Sequence, residues 1–327
     1  MRPVVLAFAL LWSWCTVAAP AGRAVAPDPQ GWVDLARWGA ARGLASRVAG
    51  KGLQLDLVGR SAQISFFADT TRFVLDGTDV RIGTPVRRVG DRFLLAQREM
   101  ESTLLPLVSP PKRPASRPIK VVAINAGHGG KDPGNIDGRR QEKHYALMLA
   151  GEARRALERA GLQVVMVRQG DTFVELEDRA GKANRARADL YVSLHFNAVQ
   201  GAGARDVHGI ETYCLTPAGS SSTNDSGNHG GTWHRGNRFD RDNIVLARQV
   251  HRAIVGGTDL EDRGVRRARF KELTLLDMPG VFVEGGYMTN ADDGRGIYTP
   301  EGRTKLARAI VDGVLAYKRL VERGGAE

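Results

Sequence analysis

Four residues in this chain stand where an open α/β sheet would keep its chemistry. His128 sits in the run Asn125-Ala126-Gly127-His128-Gly129-Gly130, Glu142 opens a helical stretch, His195 closes Tyr191-Val192-Ser193-Leu194, and Glu284 follows Val281-Phe282-Val283. Two imidazoles and one carboxylate offer zinc a three-ligand shell with a fourth position free for water, the pattern of catalytic rather than structural sites. Zinc in such a shell lowers the pKa of bound water to about 7 and polarises a carbonyl. A second carboxylate is then needed as proton shuttle, and Glu284 is the residue for it. Each residue alone has a plainer reading: His128 as a turn residue, His195 as a satisfied core histidine, Glu142 as a partner of the helix dipole, Glu284 as a solvated loop carboxylate. Their shared placement argues otherwise, because all four fall at the same edge of one expected sheet. His144 lies two residues beyond Glu142 and on a helix points about 200° away, so the two do not share one metal.

The elements that position these residues follow from the pattern. Residues 120–125 form a short β-rich run, and 142–159 place Ala146, Leu149, Ala150, Ala153 and Leu157 on one helical face. Strands are expected at 163–167, 190–194, 209–215 and 280–283, helices at 176–188 and 243–254, and a last helix carries Leu306, Ala309, Ile310, Val314 and Tyr317. Alternation of this kind argues an α/β fold with a mostly parallel sheet flanked by helices, in which ligands collect beyond the carboxyl ends of the strands.

The motifs in order, Ala126-Gly127-His128-Gly129-Gly130-Lys131-Asp132-Pro133-Gly134, Glu142-Lys143, Ser193-Leu194-His195-Phe196-Asn197-Ala198 and Val283-Glu284-Gly285-Gly286-Tyr287-Met288-Thr289-Asn290, resemble those of the zinc-dependent N-acetylmuramoyl-L-alanine amidases. The resemblance runs through residues 118–322, with Arg179, Asn184 and Gly209-Ile210-Glu211-Thr212-Tyr213 as intervening matches. It implies that His128, Glu142 and His195 bind Zn2+, that Glu284 is the catalytic acid/base, and that the bond cut joins N-acetylmuramic acid to L-alanine in peptidoglycan. Two departures stand out. Asn125 replaces the aspartate of the family turn Asp-Ala-Gly-His-Gly, removing a charged neighbour of the site but no ligand. Glu284-Gly285-Gly286-Tyr287 replaces Glu-Leu-Gly-Phe. Asn197, Arg179 and Trp233 are the expected substrate contacts, Trp233 by stacking from a polar, glycine-rich insertion at 216–242. That insertion has no apolar period to dock the autoinhibitory helix some cell-division amidases carry there, so a substrate-side loop is expected. His229 and His234 within it are weaker metal candidates.

The rest of the chain sets the surroundings. Arg2, the apolar run 4–12 and the small residues Val17, Ala18, Ala19 and Ala21 read as a secretory signal peptide over residues 1–21, too short for a transmembrane anchor. Trp14 before Cys15 argues against a lipoprotein. Loss of Cys15 leaves Cys214 as the one thiol, so no intramolecular disulfide is expected. Residues 28–107 are expected to form a small β-rich α+β domain, with a helix at 34–47, alternating strands around Leu53, Leu55 and Leu57, and turns at Asp76-Gly77 and Gly90-Asp91. Its resemblance is to the N-terminal domain shared by copper amine oxidases and several cell-wall proteins. Prolines 106, 110, 111, 114 and 118 make 108–118 an extended linker to a catalytic domain at 119–322.

Lys and Arg number 47 against 36 Asp and Glu, a formal charge of +11. That favours an anionic partner. Export removes nucleic acid from consideration and leaves an acidic wall polymer, in the periplasm or outside the cell. Arg263, Arg266, Arg267, Arg269 and Lys271 are expected to form a solvated positive face, the alternative being contact with stem-peptide carboxylates or other wall anions. A monomer without stable membrane insertion is expected, with room for a protein activator. The rival readings are a zinc peptidase cutting within the stem peptide and a non-catalytic wall-binding protein.

Overall fold

The computed structural model describes residues 31–60, 62–224 and 231–323. The expected signal peptide and His229 lie outside them. The N-terminal part begins with β1 (Trp32–Asp34) and helix α1 (Leu35–Ala40), then runs through β2 (Ala45–Ala49), β3 (Gln54–Val58), β4 (Gln63–Phe67), β5 (Arg72–Leu75), β6 (Thr78–Arg81), β7 (Arg87–Val89) and β8 (Arg92–Ala96). The helix expected over 34–47 is cut short. Asp34 caps it by accepting from the Arg37 N–H at 3.1 Å, and Gly43 at φ 70° turns the chain into β2 instead. Asp76 and Gly77 take φ 47° and 79° between β5 and β6, the pair of positive values a tight two-residue hairpin needs. Short helices α2 (Gln97–Glu99) and α3 (Leu105–Val108) follow, and the proline-rich stretch then runs without regular structure along the molecule. There the Arg113 N–H donates to Val321 O at 2.8 Å, and the Ile119 N–H donates to the Glu322 carboxylate at 2.6 Å.

Downstream come β9 (Val121–Ala126), the small hairpin β10 (Ile136–Asp137) and β11 (Arg140–Gln141), α4 (Glu142–Arg159), β12 (Gln163–Met166), α5 (Leu176–Arg185), β13 (Leu190–Asn197) and β14 (Ile210–Leu215). The chain ends with α6 (Asp240–Gly257), β15 (Asp262–Ala268), α7 (Lys271–Thr274), β16 (Gly280–Tyr287), α8 (Ala291–Tyr298) and α9 (Pro300–Glu322). Side chains alternate along β9 and β13. Val122, Ile124, Leu190, Val192, Leu194 and Phe196 join the core under α4, α6 and α9, while Ala123 and Tyr191 face the smaller core under α5 and α7. Burial on both faces explains why these strands read as nearly continuous apolar runs.

The sheet is mixed rather than mostly parallel. Eleven strands run in the order β12-β9-β13-β16-β14-β15-β6-β5-β4-β3-β2. Neighbours are parallel from β12 to β16 and from β14 through β15 to β6, whereas β16 with β14 and every pair from β6 to β2 are antiparallel. The N-terminal strands therefore extend the downstream sheet, joined where Val80 pairs with Val265. β15 occupies the expected positive face. Arg263 and Arg266 reach the buried Glu211 at 2.9 and 3.2 Å, and Arg267 is 1% exposed, so these guanidinium groups are internal partners and not a solvated cluster.

Candidate metal centre and active site

His195 and Glu284 sit side by side across the parallel pair β13 and β16, and Glu211 of β14 faces Glu284 from the other side. By alternation they share the sheet face that carries Tyr191 and Phe282, and the His195 ring stacks on Phe282 with centroids 4.0 Å apart. Glu142 begins α4 and is 1% exposed. His128 lies in the loop after β9 with φ 58°, a left-handed value that costs a histidine about 1–2 kcal/mol.

That strained loop is held from beneath by two buried arginines. Arg168 donates to Ala126 O, Gly127 O, Gly170 O and Lys143 O at 2.7–2.9 Å, and Arg179 donates to Val174 O, Asn125 Oδ1, Ala126 O and His128 O at 3.0–3.2 Å. Burial, and then the neighbouring Arg179 charge, push the Arg168 guanidinium down to about 10. A Cβ on Gly127 would lie 2.3–2.7 Å from the His195 ring, and one on Gly134 would meet His128 Cδ2 at 2.5 Å and Glu142 Oε2 at 2.6 Å. The glycines of this loop are thus space for the ligands.

His128 Nε2, His195 Nδ1 and the two Glu142 oxygens converge. His128 Nε2 is 3.0 Å from Glu142 Oε2 and 3.2 Å from His195 Nδ1, which is 2.9 Å from Glu142 Oε1. A tetrahedron with zinc-type bonds of 2.0–2.1 Å has edges of about 3.3 Å, so the donor set and its spacing fit such an ion. Among the described residues these three form the grouping able to hold a metal. Burial alone would raise the Glu142 carboxyl, but its hydrogen bonds with His128 and His195 and their charge hold it well below the usual range. His128 is raised against its own burial by Glu142 and by Asp132, whose Oδ2 lies 2.8 Å from His128 Nδ1. Glu284 is shifted the opposite way. Burial, followed by the charges of Glu142, Glu211 and Glu272, pushes its carboxyl far up, and its Oε2 is closed from solvent with no hydrogen-bond partner.

Residues 122–316, more than half the chain, match the family described as Amidase_3, N-acetylmuramoyl-L-alanine amidase. The chain belongs to that family. It is similar to the Bacillus subtilis protein YqiI, 32% identical over 65% of this chain and 93% of that one, and to the amidase AmiC of Neisseria meningitidis, 32% identical over 60% of this chain. It covers about half (52%) of the length of that AmiC. Among solved structures, the amidase AmiC2 of Nostoc punctiforme aligns at 33% identity and a TM-score of 0.51, covering 61% of this chain and 96% of that one.

The other residues singled out in the sequence of this Amidase_3 protein fall in different places. Arg179 is 2% exposed and its donors go to the ligand loop, so it supports that loop and does not face a substrate. Asn197 ends β13 with its side chain accepting from the Ala198 N–H at 2.9 Å. Trp233 is 57% exposed. His234 caps the short 3-10 turn Arg235–Phe239, and His144 is exposed with its ring against Tyr145; neither joins the metal grouping. Of the insertion expected at 216–242, the described residues up to 234 hold turns and no helix, while the 3-10 turn leads directly into α6, which starts at Asp240 and not at 243. Sequence reasoning passed over Asp132, Arg168 and Glu272. Asp132, four residues past His128 in a turn, was the one legible from spacing.

Proposed function

We propose that this chain is a zinc-dependent hydrolase that cuts the amide bond between N-acetylmuramic acid and L-alanine of peptidoglycan. The observation that carries the reading is the convergence of His128, Glu142 and His195 donor atoms at 2.9–3.2 Å, with Glu284 beside His195 on the next strand. Membership of the amidase family and likeness to named amidases support the choice of bond.

His128 Nε2, His195 Nδ1 and the Glu142 carboxylate would hold the ion. Zinc bound there supplies Lewis acidity, polarising the scissile carbonyl and acidifying water. Glu284 does the proton work. Its carboxyl, made basic by burial and by neighbouring carboxylates, accepts a proton from the attacking water as the new carbon–oxygen bond forms. The same carboxyl returns that proton to the L-alanine nitrogen as the carbon–nitrogen bond breaks, so the stem peptide leaves with a free amine. Arg168 and Arg179 keep His128 in place, and Trp233 is proposed to stack on sugar or peptide.

We also infer export to the cell wall, from the apolar N-terminal run and the basic composition. No helix among the described residues is long and apolar enough to cross a membrane.

The test is product analysis on purified sacculi. Stem peptides bearing a new free L-alanine amine should appear, disappear with a chelator and return with zinc. Peptides cut internally, with L-alanine still on the sugar, would overturn the choice of bond, and release that survives Glu284→Ala would overturn the proton shuttle.

A further inference from the structure

The residue whose chemistry remains unused is Glu272. It lies on α7 between β15 and β16, is 3% exposed, and has no lysine or arginine hydrogen-bonded to it among the described residues. Three neutral donors hold it instead. Asn125 Nδ2 donates to Oε2 at 2.9 Å, Tyr191 OH to Oε2 at 2.6 Å, and Ser193 Oγ to Oε1 at 2.9 Å. A buried carboxylate fixed this firmly is costly unless it faces a group that needs it.

That group is His195. Its Nδ1 points toward Glu142 and His128, while its other nitrogen, Nε2, is buried with no hydrogen-bond partner. Oε1 of Glu272 lies 3.9 Å from that Nε2. An imidazole giving Nδ1 to a metal carries its proton on Nε2, and a carboxylate on that side fixes the tautomer and strengthens the donor. His128 shows the same arrangement at shorter range, with Asp132 on its Nδ1.

Asn125 completes the argument. Its amide donates to Glu272 while its oxygen accepts from Arg179 Nη1 at 3.0 Å. An aspartate at 125, the residue of the family turn, would put two carboxylates in hydrogen-bond contact. Asparagine at 125 and glutamate at 272 are therefore one unit, in which the negative charge sits on α7 instead of at the end of β9.

We propose that Glu272, held by Asn125, Tyr191 and Ser193, is a positioning residue that sets the His195 tautomer and strengthens metal binding through it. The inference rests on the reading of His128, Glu142 and His195 as metal ligands.

The test uses the full chain and zinc alone, with affinity measured by chelator competition. Glu272→Gln is expected to weaken zinc binding about 10–100-fold with circular dichroism unchanged. Nitrogen-15 NMR of the metal-free protein should show the Nε2–H tautomer of His195 losing population in Glu272→Gln. Asn125→Asp alone should also weaken binding. Asn125→Asp combined with Glu272→Gln should recover much of the affinity lost by Glu272→Gln, a rescue that a merely structural role would not give. Should either single change fail to fold, Tyr191→Phe, which loosens Glu272, replaces it and is expected to move affinity and tautomer the same way. Unchanged zinc affinity and an unchanged tautomer in Glu272→Gln, or in Tyr191→Phe where it stands in, would overturn the inference. His128→Ala separates the two failures: if it too leaves zinc affinity unchanged, the metal-site reading has failed rather than the role of Glu272.

Discussion

At the scale of single residues, Glu284 combines a buried, unpartnered Oε2 with three nearby carboxylates. Its folded pKa is raised by burial and by the neighbouring carboxylates, so above the ordinary glutamate value the folded metal-free protein binds more protons than the unfolded chain. Stability then falls as pH rises above the ordinary glutamate value of about 4.3. The isosteric Glu284→Gln removes that loss. Metal-free Glu284→Gln should melt at a higher temperature than the wild type at pH 7, with the gap closing toward pH 4, as differential scanning calorimetry would show. The same variant should lose turnover by at least about 100-fold while retaining zinc in metal analysis, because it cannot carry the proton. A gap independent of pH would mean that Glu284 titrates normally. The grouping of His128, Glu142 and His195, with Glu284 beside it, was legible from the apolar runs before His195 and Glu284 and the helical period after Glu142, although β13 and β16 run on past the expected ends to Asn197 and Tyr287. Glu272 was not, since nothing in Phe270-Lys271-Glu272-Leu273 tells a solvated carboxylate from one aimed at a histidine.

Among the elements, the loop after β9 does more than connect. Gly127 has an ordinary φ, so alanine fits its backbone, yet a Cβ would lie 2.3 Å from His195 Cε1. Gly127→Ala must therefore displace the ligand ring rather than strain the chain. It is expected to weaken zinc affinity at least about tenfold, at a packing cost of about 1–3 kcal/mol by chemical denaturation. An unchanged affinity would show that the ring relaxes freely. The apolar strands β9, β13 and β16 were readable as runs bounded by turns. β15 was not, because Asp262, Arg263, Gly264, Arg266 and Arg267 hide any strand pattern. Its charges are buried by pairing, Arg263 and Arg266 with Glu211, and Arg267 on the carbonyls of Leu215 and Ser102. The same misreading produced the expected positive face and concealed the strand that joins the two parts of the sheet.

For the whole molecule, that junction decides how the protein comes apart. One apolar core runs without interruption from Val33 and Phe66 in the N-terminal part to Val314 and Val321 in α9. Polar ties reinforce it. Arg248 donates to Leu75 O at 3.1 Å and to Asp76 at 3.0 Å, and Arg267 Nη2 donates to Ser102 O and Thr103 Oγ1, both at 3.0 Å. Glu99, 2% exposed, is pushed up by burial and drawn back by the Arg267 charge. The division into a small domain, a spacer and a catalytic domain, natural from prolines 106–118, therefore describes the order of the chain better than its packing. Residues 31–108 and 119–322 should melt in a single calorimetric transition with equal calorimetric and van't Hoff enthalpies. Arg267→Leu leaves the buried Leu215 O, Ser102 O and Thr103 Oγ1 without their donor and should lower the whole transition, by about 1–3 kcal/mol. Two separate transitions, with Arg267→Leu moving only one, would show that the shared sheet and core do not couple the two parts.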